Sequence, residues 1–409
     1  METVEDLQLR SLQKVRTFSS QLSNKSRIQW LAVSSKFGLV IACCPTNQLI
    51  VYKCSDIHEL NQTGTDQSET ILQNQRKIDY YDSMCEIQFL KANFTGEILA
   101  IVVNKENEGS FVHLYDFRIF SIDRNDQPFP VVVLPLSKQI NSVVTAFEWN
   151  PAEDVFAAAC SDKSLLTVQF NILEHTKLTL LGIIESQEIV NCISWSPKGK
   201  QLTCGDAAGR IHQMKPDLTL VRTIDPPQEI PELGNGPFRC VGLCWLSTTE
   251  WLVAHALHNK EQFNISVLVT KKNQASSWSF LSDITYSNLS SPAISTANVQ
   301  FYSIFDWSMV FLSSPNSSEI SVVGNRSGSA WTHWVLEDTF SIQLPVSKSH
   351  GETYPIGVGF DFCSSTPVKI ANDGSGDLPP QPIIYVLTTE GLLLLYHIVS
   401  LNPQRPTLN

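Results

Sequence analysis

The sequence predicts an all-β protein, a seven-bladed β-propeller of the WD40-like type whose ring is closed by an N-terminal strand. Four tryptophans, Trp149, Trp195, Trp245 and Trp307, recur at spacings of 46, 50 and 62 residues. Each follows alternating apolar residues and precedes a turn and a second apolar run, such as residues 155–160. A strand–turn–strand unit repeated every ~45–60 residues is typical of propeller blades, which stack because one sheet cannot bury both of its faces alone.

Length and composition agree with this class. The chain has 409 residues, too many for one compact core, but each layer between two blades can form a small core of its own. We therefore predict one domain covering residues 1–409. Charged residues make up 17% of the chain and hydrophobic residues 43%, which fits sheets joined by polar turns better than helices. The net charge of −11 argues against direct nucleic acid binding, which needs a basic surface.

The sequence gives no indication of secretion or membrane insertion. Its first residues, from Met1 to Leu7, are acidic and lack the apolar segment of a signal peptide. No run of 18 apolar residues occurs, so no membrane-spanning helix is expected. The ten cysteines include no Cys-x-x-Cys pair and are expected to be reduced core residues. We expect a soluble protein of the nucleus or cytoplasm that does not contact membranes.

The first elements in chain order are the closing strand and blade one. Residues 7–18 are predicted to form the strand that joins the last blade, with Val15 and Phe18 paired to residues 392–396. This pairing removes an exposed sheet edge, as closure of a propeller requires. Blade one is predicted to contain strands at 30–33, 38–42 and 49–52.

The remaining blades follow after an insertion. Residues 55–82 are polar and are interpreted as an insertion with a short helix near residues 71–78. Blades two to seven are predicted at 87–122, 143–173, 190–224, 240–270, 300–344 and 356–396. Rings of six or eight blades are the alternatives. In blade four, residues 205–209 are expected to form a hairpin turn because they begin and end with glycine. Trp195 of the same blade is expected to be buried between blades.

We find no arrangement of residues that predicts catalysis. The sequence lacks a Gly-x-Ser-x-Gly elbow, a phosphate-binding glycine-rich loop and a His-Glu-x-x-His motif. His255 and His258 lie three apart in a predicted strand, so they face opposite ways and make a poor metal site. The adjacent acids Glu337 and Asp338 would diverge for the same reason, which argues against a two-carboxylate hydrolase. The protein is predicted not to be an enzyme, and neither a cofactor nor a metal is expected.

The candidate functional site is the long connection between blades six and seven. Its distinctive residues combine acids with aromatic side chains, a mixture that suits a protein-binding hot spot. They are Glu337, Asp338, His350, Glu352 and Tyr354. On residue types alone, an ordinary solvated loop is the alternative. The glycine-rich residues 373–377 form a second, less distinctive loop.

A set of short motifs, in order along nearly the whole chain, resembles one known family. The longest is Leu31-Ala-Val-Ser-Ser-Lys-Phe-Gly-Leu-Val-Ile-Ala42. The others lie at 14–16, Phe18, 149–151, 195–202, 334–338, 344–346 and 402–403. Together they resemble the family of the cytoplasmic-face FG nucleoporin CAN of the nuclear pore complex. In that family this region is the N-terminal seven-bladed propeller.

The resemblance implies a partner and a location. It implies docking of the DEAD-box ATP-dependent RNA helicase of mRNA export, through its N-terminal RecA-like domain, at the cytoplasmic side of the nuclear pore complex. Other nucleoporins would bind through FG repeats and coiled coils of a longer parent chain, and this sequence has neither. The helicase contact in the family includes the loop after residues 344–346. There the family pattern is more acidic, and Glu352 keeps an acid where Ser347, Lys348 and Gly351 do not.

Two other functions remain compatible with a propeller. One is a scaffold or adaptor in a different multiprotein complex, whose full-length chain would lack FG repeats. The other is a propeller hydrolase, which needs a pair of carboxylates in the central channel.

Overall fold

The computed structural model describes residues 1–409 apart from 21, 23–27, 62–67, 172–176, 259, 261, 273, 282–283, 285–296, 327, 329, 350, 366, 369–377, 403–404 and 407–409. Within the described residues the strands form seven blades around a central channel. The first strand of every blade contributes to the channel lining, through residues that include Leu31, Leu90, Trp149, Ile193, Leu243, Tyr302 and Val358. The predicted all-β, seven-bladed propeller is therefore confirmed.

Each blade is an antiparallel sheet whose strands follow one another from the channel outwards. Blade 1 contains Leu31–Ser34, Leu39–Cys43, Gln48–Lys53 and Arg76–Asp79, and blade 2 contains Cys85–Ala92, Ile98–Lys105, Gly109–Asp116 and Val132–Pro135. Blade 3 contains Val144–Trp149, Val155–Cys160, Ser164–Asn171 and Lys177–Glu185, and blade 4 contains Val190–Trp195, Leu202–Asp206, Ile211–Met214 and Leu220–Ile224.

Blades 5 to 7 complete the ring. Blade 5 contains Phe238–Ser247, Glu250–Leu257, Phe263–Val269 and Ser277–Leu281. Blade 6 contains Gln300–Ile304, Met309–Ser313, Glu319–Gly324 and Thr332–Val335. Blade 7 contains Pro355–Asp361, Ile383–Thr388, Leu392–Ser400 and Leu7–Arg16. Helical structure in the described residues is limited to one α-helix, Cys54–His58, and the 3₁₀ turns Glu59–Asn61, Phe117–Phe120, Phe305–Trp307 and Asp338–Phe340. None of these helices is long and apolar enough to cross a membrane, as judged over the described residues.

The blades are held together by apolar layers between neighbouring sheets. Trp195 is buried in the layer between blades 3 and 4, as predicted, beside Ala157 and Leu202. Its indole N–H donates to the backbone oxygen of Glu148 in blade 3, 3.2 Å away. This contact satisfies the one polar atom of a large buried ring, so Trp195 joins two blades by both packing and a hydrogen bond.

The ring is closed by the N-terminal strand, Leu7–Arg16, which pairs antiparallel with Leu392–Ser400. The prediction is confirmed for Val15, which lies opposite Leu393. It is wrong for Phe18, which follows the strand. The partner hairpin turns at Gly391, whose carbonyl accepts from both the amide and the hydroxyl of Thr17 at 2.8 and 2.6 Å. The strand register ends at Arg16, opposite Leu392, although the Leu22 amide still donates to the Thr389 carbonyl at 3.1 Å.

Two outer edges are covered by short segments of the same chain. Glu2–Thr3 pairs in parallel with the outer strand of blade 6, and Glu69–Thr70 pairs in parallel with the closing strand of blade 7. These two-residue strands occupy edge amides and carbonyls that would otherwise invite pairing with another chain.

Four outer strands, those of blades 1, 2, 3 and 5, lie outside the predicted blade bounds. The helix expected near residues 71–78 is wrong: the helix is Cys54–His58, and Arg76–Asp79 is the outer strand of blade 1. The side chain of Ile78 is buried between exposed neighbours, an alternation that a strand produces and a helix does not. The outer strand of blade 3, Lys177–Glu185, lies beyond the predicted end of that blade. The predicted turn at 205–209 is confirmed in part: residues 207–209 join the second and third strands of blade 4, whereas Gly205 and Asp206 belong to the second strand, Leu202–Asp206.

Histidines within the sheets are buried or half-buried. Burial disfavours the imidazolium and lowers the pKa of His113, His255 and His397 to about 4 in each case. His255 is fully buried, and its Nε2 lies 3.1 Å from the carbonyl oxygen of Gly209, so the neutral ring donates there. The ten cysteines are free thiols, and eight of them are buried.

Candidate protein-docking site

The connection between blades 6 and 7 comprises residues 336–354. The structure divides the loop expected from the sequence into two parts, because Ile342–Gln343 forms a short strand that pairs with Glu319–Ile320 of blade 6. We call residues 336–341 the acidic turn and residues 344–354 the upper loop. The short strand between them continues the outer edge of blade 6 after an interruption.

The acidic turn presents Glu337 and Asp338 to solvent. Both side chains are exposed. The buried residues Leu336 and Ile342 anchor the turn on either side, which forces the residues between them outwards. The Phe340 amide donates to the Glu337 carbonyl at 2.8 Å and closes the turn. Although Glu337 and Asp338 are adjacent in sequence, the 3₁₀ turn keeps both on the surface.

The closing strand supports the acidic turn from below. The guanidinium of Arg10 lies 5.6 Å from the centre of the Phe340 ring, a favourable cation–π distance. The negative charge of Asp338 also reaches the neighbouring strand. Burial, and then the Asp338 carboxylate, raise the pKa of Glu319 above its ordinary value. The acidic turn is thus a local concentration of negative potential on the outer side of blade 6.

The upper loop brings Glu352 and Tyr354 together. The Tyr354 hydroxyl donates to Oε2 of Glu352 at 2.9 Å. Burial, and then the Glu352 carboxylate, raise the pKa of Tyr354 to about 12, so the phenol stays protonated and remains a donor near neutral pH. Glu352 is exposed, but the Tyr354 ring is buried. As an aromatic of the predicted hot spot, Tyr354 is expected to be accessible to a partner, but its ring is buried and its hydroxyl orients Glu352.

The upper loop is folded on itself. The amide of Ser347 donates to the Gly351 carbonyl at 2.8 Å, and the Gly351 amide donates back to the Ser347 hydroxyl at 2.9 Å. The hydroxyl of Thr353 donates to the Pro345 carbonyl at 2.6 Å. These bonds limit the entropy that the loop would lose on binding a partner. His350 and the glycine-rich residues 373–377 lie outside the described residues.

The upper loop rests on residues that the sequence analysis did not identify. The amide of Lys348 donates to Oε1 of the buried Glu390 at 2.9 Å. Arg16 donates to the Glu390 carbonyl at 2.6 Å and forms two hydrogen bonds with the Glu69 carboxylate at 2.6 and 3.1 Å. The Arg16 hydrogen bonds lower the pKa of Glu69. Arg16 and Glu390 are 374 residues apart, so no local sequence pattern could have linked them.

The central channel offers little for catalysis. The channel cavity is about 290 Å³, and among its described lining residues Glu148 is the only carboxylate. Glu148 is engaged in an ion pair with Lys91. A two-carboxylate hydrolase site is therefore not formed by the described lining residues. Nor do the residues that the structure describes bring three His, Cys, Asp or Glu side chains together in a way that could hold a metal ion.

Comparison with known families decides what kind of propeller this is. The family model described as the NUP159/214 beta propeller matches residues 25–393. The chain belongs to the NUP159/214 β-propeller family. It is 31% identical over 404 residues to nuclear pore complex protein 14 of Caenorhabditis elegans, covering 97% of this chain and 28% of that protein. It is 26% identical over 412 residues to human nuclear pore complex protein Nup214, covering 98% of this chain and 19% of that protein.

This nucleoporin propeller thus spans less than a third of the length of each of those two relatives. Its fold also resembles solved propellers of other families. The WD40 domain of Toxoplasma gondii coronin superposes with a TM-score of 0.61 at 12% identity, covering 98% of this chain and 87% of that one. That likeness supports the architecture only. The family match agrees with the predicted resemblance to a nucleoporin. It gives no support to the alternative that the propeller is an adaptor in an unrelated complex.

Proposed function

We propose that this nucleoporin propeller is a non-enzymatic docking platform that binds a DEAD-box RNA helicase at the cytoplasmic side of the nuclear pore complex and supports mRNA export. The observation that carries the proposal is the exposure of three acids, Glu337, Asp338 and Glu352, on the connection between blades 6 and 7. The family membership of the chain supplies the setting in the pore.

The acids would act on a basic surface of the helicase. A DEAD-box helicase binds RNA on a basic surface of its two RecA-like domains, and the N-terminal one is the proposed partner. Exposed carboxylates steer such a surface into encounter and make association sensitive to salt. Tyr354 has a positioning role here, because its hydroxyl holds one oxygen of Glu352.

Electrostatic docking implies competition with RNA. One basic surface cannot be occupied by a phosphate backbone and by an acidic protein loop at the same time. The propeller would therefore displace RNA from the helicase, which would help to release the helicase from an exported messenger ribonucleoprotein. This direction of coupling is reciprocal, so bound RNA weakens propeller binding by the same factor.

The test is a displacement assay with the parent propeller. Fluorescent RNA is bound to the helicase, and the propeller is titrated in while RNA anisotropy is followed. We expect RNA release at saturating propeller. The triple variant Glu337→Lys, Asp338→Lys, Glu352→Lys should lose this effect, with the association rate lowered about tenfold or more because steering is removed.

The matched control reverses the same types of acid elsewhere. Asp225, Glu229 and Glu232 are exposed on the connector between blades 4 and 5. Changing these three to lysine alters the net charge equally, so it should leave displacement intact. RNA that stays bound at saturating parent propeller would refute competition. Equal losses in both triple variants would refute the assignment of these three acids.

A further inference from the structure

A second surface feature lies at blade 2, apart from the connection between blades 6 and 7. Three large apolar side chains are exposed there on two loops: Met84 (70%), Ile140 (61%) and Val143 (46%). They line one groove of about 590 Å³, within the range of cavities that bind ligands. We call it the blade 2 groove. Single exposed apolar side chains scattered over a surface are ordinary, whereas several that converge on one concave surface mark an interaction site.

The walls of the groove are fixed by hydrogen bonds. The Met84 amide donates to Oδ1 of Asp82 at 3.1 Å, which holds the first loop. Oδ1 of Asn104 accepts from the Ser110 hydroxyl at 2.7 Å and from the Val144 amide at 3.1 Å, which holds the second loop against blade 2. The groove therefore exists before any partner binds, and binding would not require these loops to be ordered first.

The rim of the groove is acidic. Glu86 and Glu106 line it and are exposed. Lys105 is the only lysine or arginine among the described lining residues. Its ammonium group is bound by Asp82 at 3.1 Å and by Glu108 at 2.9 Å. Because Lys105 is already neutralised by two carboxylates, it does not offset the charge of Glu86 and Glu106.

We propose that the blade 2 groove binds an extended protein segment in which apolar side chains alternate with lysine or arginine. The apolar side chains would enter the groove beside Met84 and Ile140, and a methionine adapts its shape to different partners. The basic side chains would face Glu86 and Glu106. The same acidic rim repels the phosphates of nucleic acids and anionic lipids, so charge favours a basic protein segment over either.

The four methionines of the chain provide a direct readout. Met84 lies in the groove, Met1 is exposed at the chain start, and Met214 and Met309 are buried. In the full chain labelled with [¹³C]methyl-methionine, NMR spectra would report each position separately. The probe is a ten-residue peptide of alternating lysine and leucine, with lysine–serine and glutamate–leucine peptides as controls.

We expect the lysine–leucine peptide to shift the Met84 methyl signal saturably and to leave the signals of Met1, Met214 and Met309 unchanged. The variant Ile140→Glu should raise the Kd at least tenfold, and so should the charge reversal Glu86→Lys, Glu106→Lys. Ile140, Glu86 and Glu106 are exposed, so these substitutions should leave the core intact. Unchanged signals of the buried Met214 and Met309 would verify the fold of each variant.

The matched control for Ile140→Glu is Leu180→Glu, because Leu180 is also exposed but lies on the outer strand of blade 3. That variant should bind like the parent. The proposal is overturned if Met84 does not respond, if Met1 responds in parallel, or if the glutamate–leucine peptide binds equally well. It is also overturned if Ile140→Glu binds like the parent, or if a single-stranded oligonucleotide or an anionic vesicle shifts Met84 instead.

Discussion

Closure of the ring by Leu7–Arg16 gives the most direct test of how this fold is stabilised. The strand buries Leu7 and Leu9 in the layer between blades 6 and 7, and Leu12 and Val15 in the layer between blades 7 and 1. Each buried aliphatic side chain contributes about 1.5–3 kcal/mol, so the four together contribute roughly 6–12 kcal/mol before the ordering entropy of the strand is subtracted. That gross contribution is comparable with the whole free energy of unfolding of a domain, about 5–15 kcal/mol.

A single substitution makes this contribution measurable without abolishing folding. Leu9 is 1% exposed, so Leu9→Ala should lower the free energy of unfolding by about 2–5 kcal/mol through lost burial and the cavity left behind. The matched control is Leu220→Ala, on the outer strand of blade 4, where the side chain is 55% exposed. That change should stay within about 0.5 kcal/mol. Urea denaturation followed by tryptophan fluorescence measures both.

Deletion of residues 1–16 is the limiting case. The last blade then loses its outer strand and exposes the edge of Leu392–Ser400, so we expect a lower melting temperature and aggregation. A synthetic peptide of residues 1–20 should restore part of the lost stability in trans. The reasoning fails if the deleted chain is monomeric and as stable as the parent, or if Leu9→Ala costs no more than Leu220→Ala.

Three further predictions follow from the core. Trp195→Ala should lower the free energy of unfolding by about 3–5 kcal/mol, and a loss below about 1 kcal/mol in urea denaturation would contradict its role between blades. Gly205→Ala should destabilise by about 1–3 kcal/mol, because the new Cβ would clash with the Sγ atoms of Cys240 and Cys192. Adding Cys192→Ala and Cys240→Ala together should recover part of the loss, and no recovery would refute the steric reason. His255 has a folded-state pKa of about 4, below the ordinary value of about 6.5, so the unfolded chain takes up the proton first as the pH falls. The contribution of neutral His255 to the free energy of unfolding is complete above pH ~6.5 and falls by about 2 kcal/mol on acidification to pH ~5. The free energy of unfolding of His255→Gln should therefore depend less steeply on pH. An unchanged slope would refute this assignment.

Only part of the candidate docking site could be predicted from the sequence. The segment between blades 6 and 7 could be identified because acids and aromatics cluster there without strand periodicity. The sequence did not reveal that Ile342–Gln343 separates the acidic turn from the upper loop, since that strand exists only by pairing with Glu319–Ile320. It also did not reveal that the Tyr354 ring is buried. Burial of a loop residue depends on the neighbouring blade and not on local pattern.

The repeating unit of this protein could be predicted from local sequence. Alternating apolar residues that end in tryptophan are a local signal, and they were sufficient to predict a β-propeller and the burial of Trp195. The closing strand was predicted from an N-terminal segment that no blade used. Only the tertiary structure shows the outer strands, such as Lys177–Glu185, because the leucine and isoleucine side chains of this strand are all exposed or half-buried and do not mark one buried face. It also decided the support of the upper loop, where Arg16 meets Glu390. The contact between Arg16 and Glu390 joins residues 374 positions apart, which meet only when the ring closes.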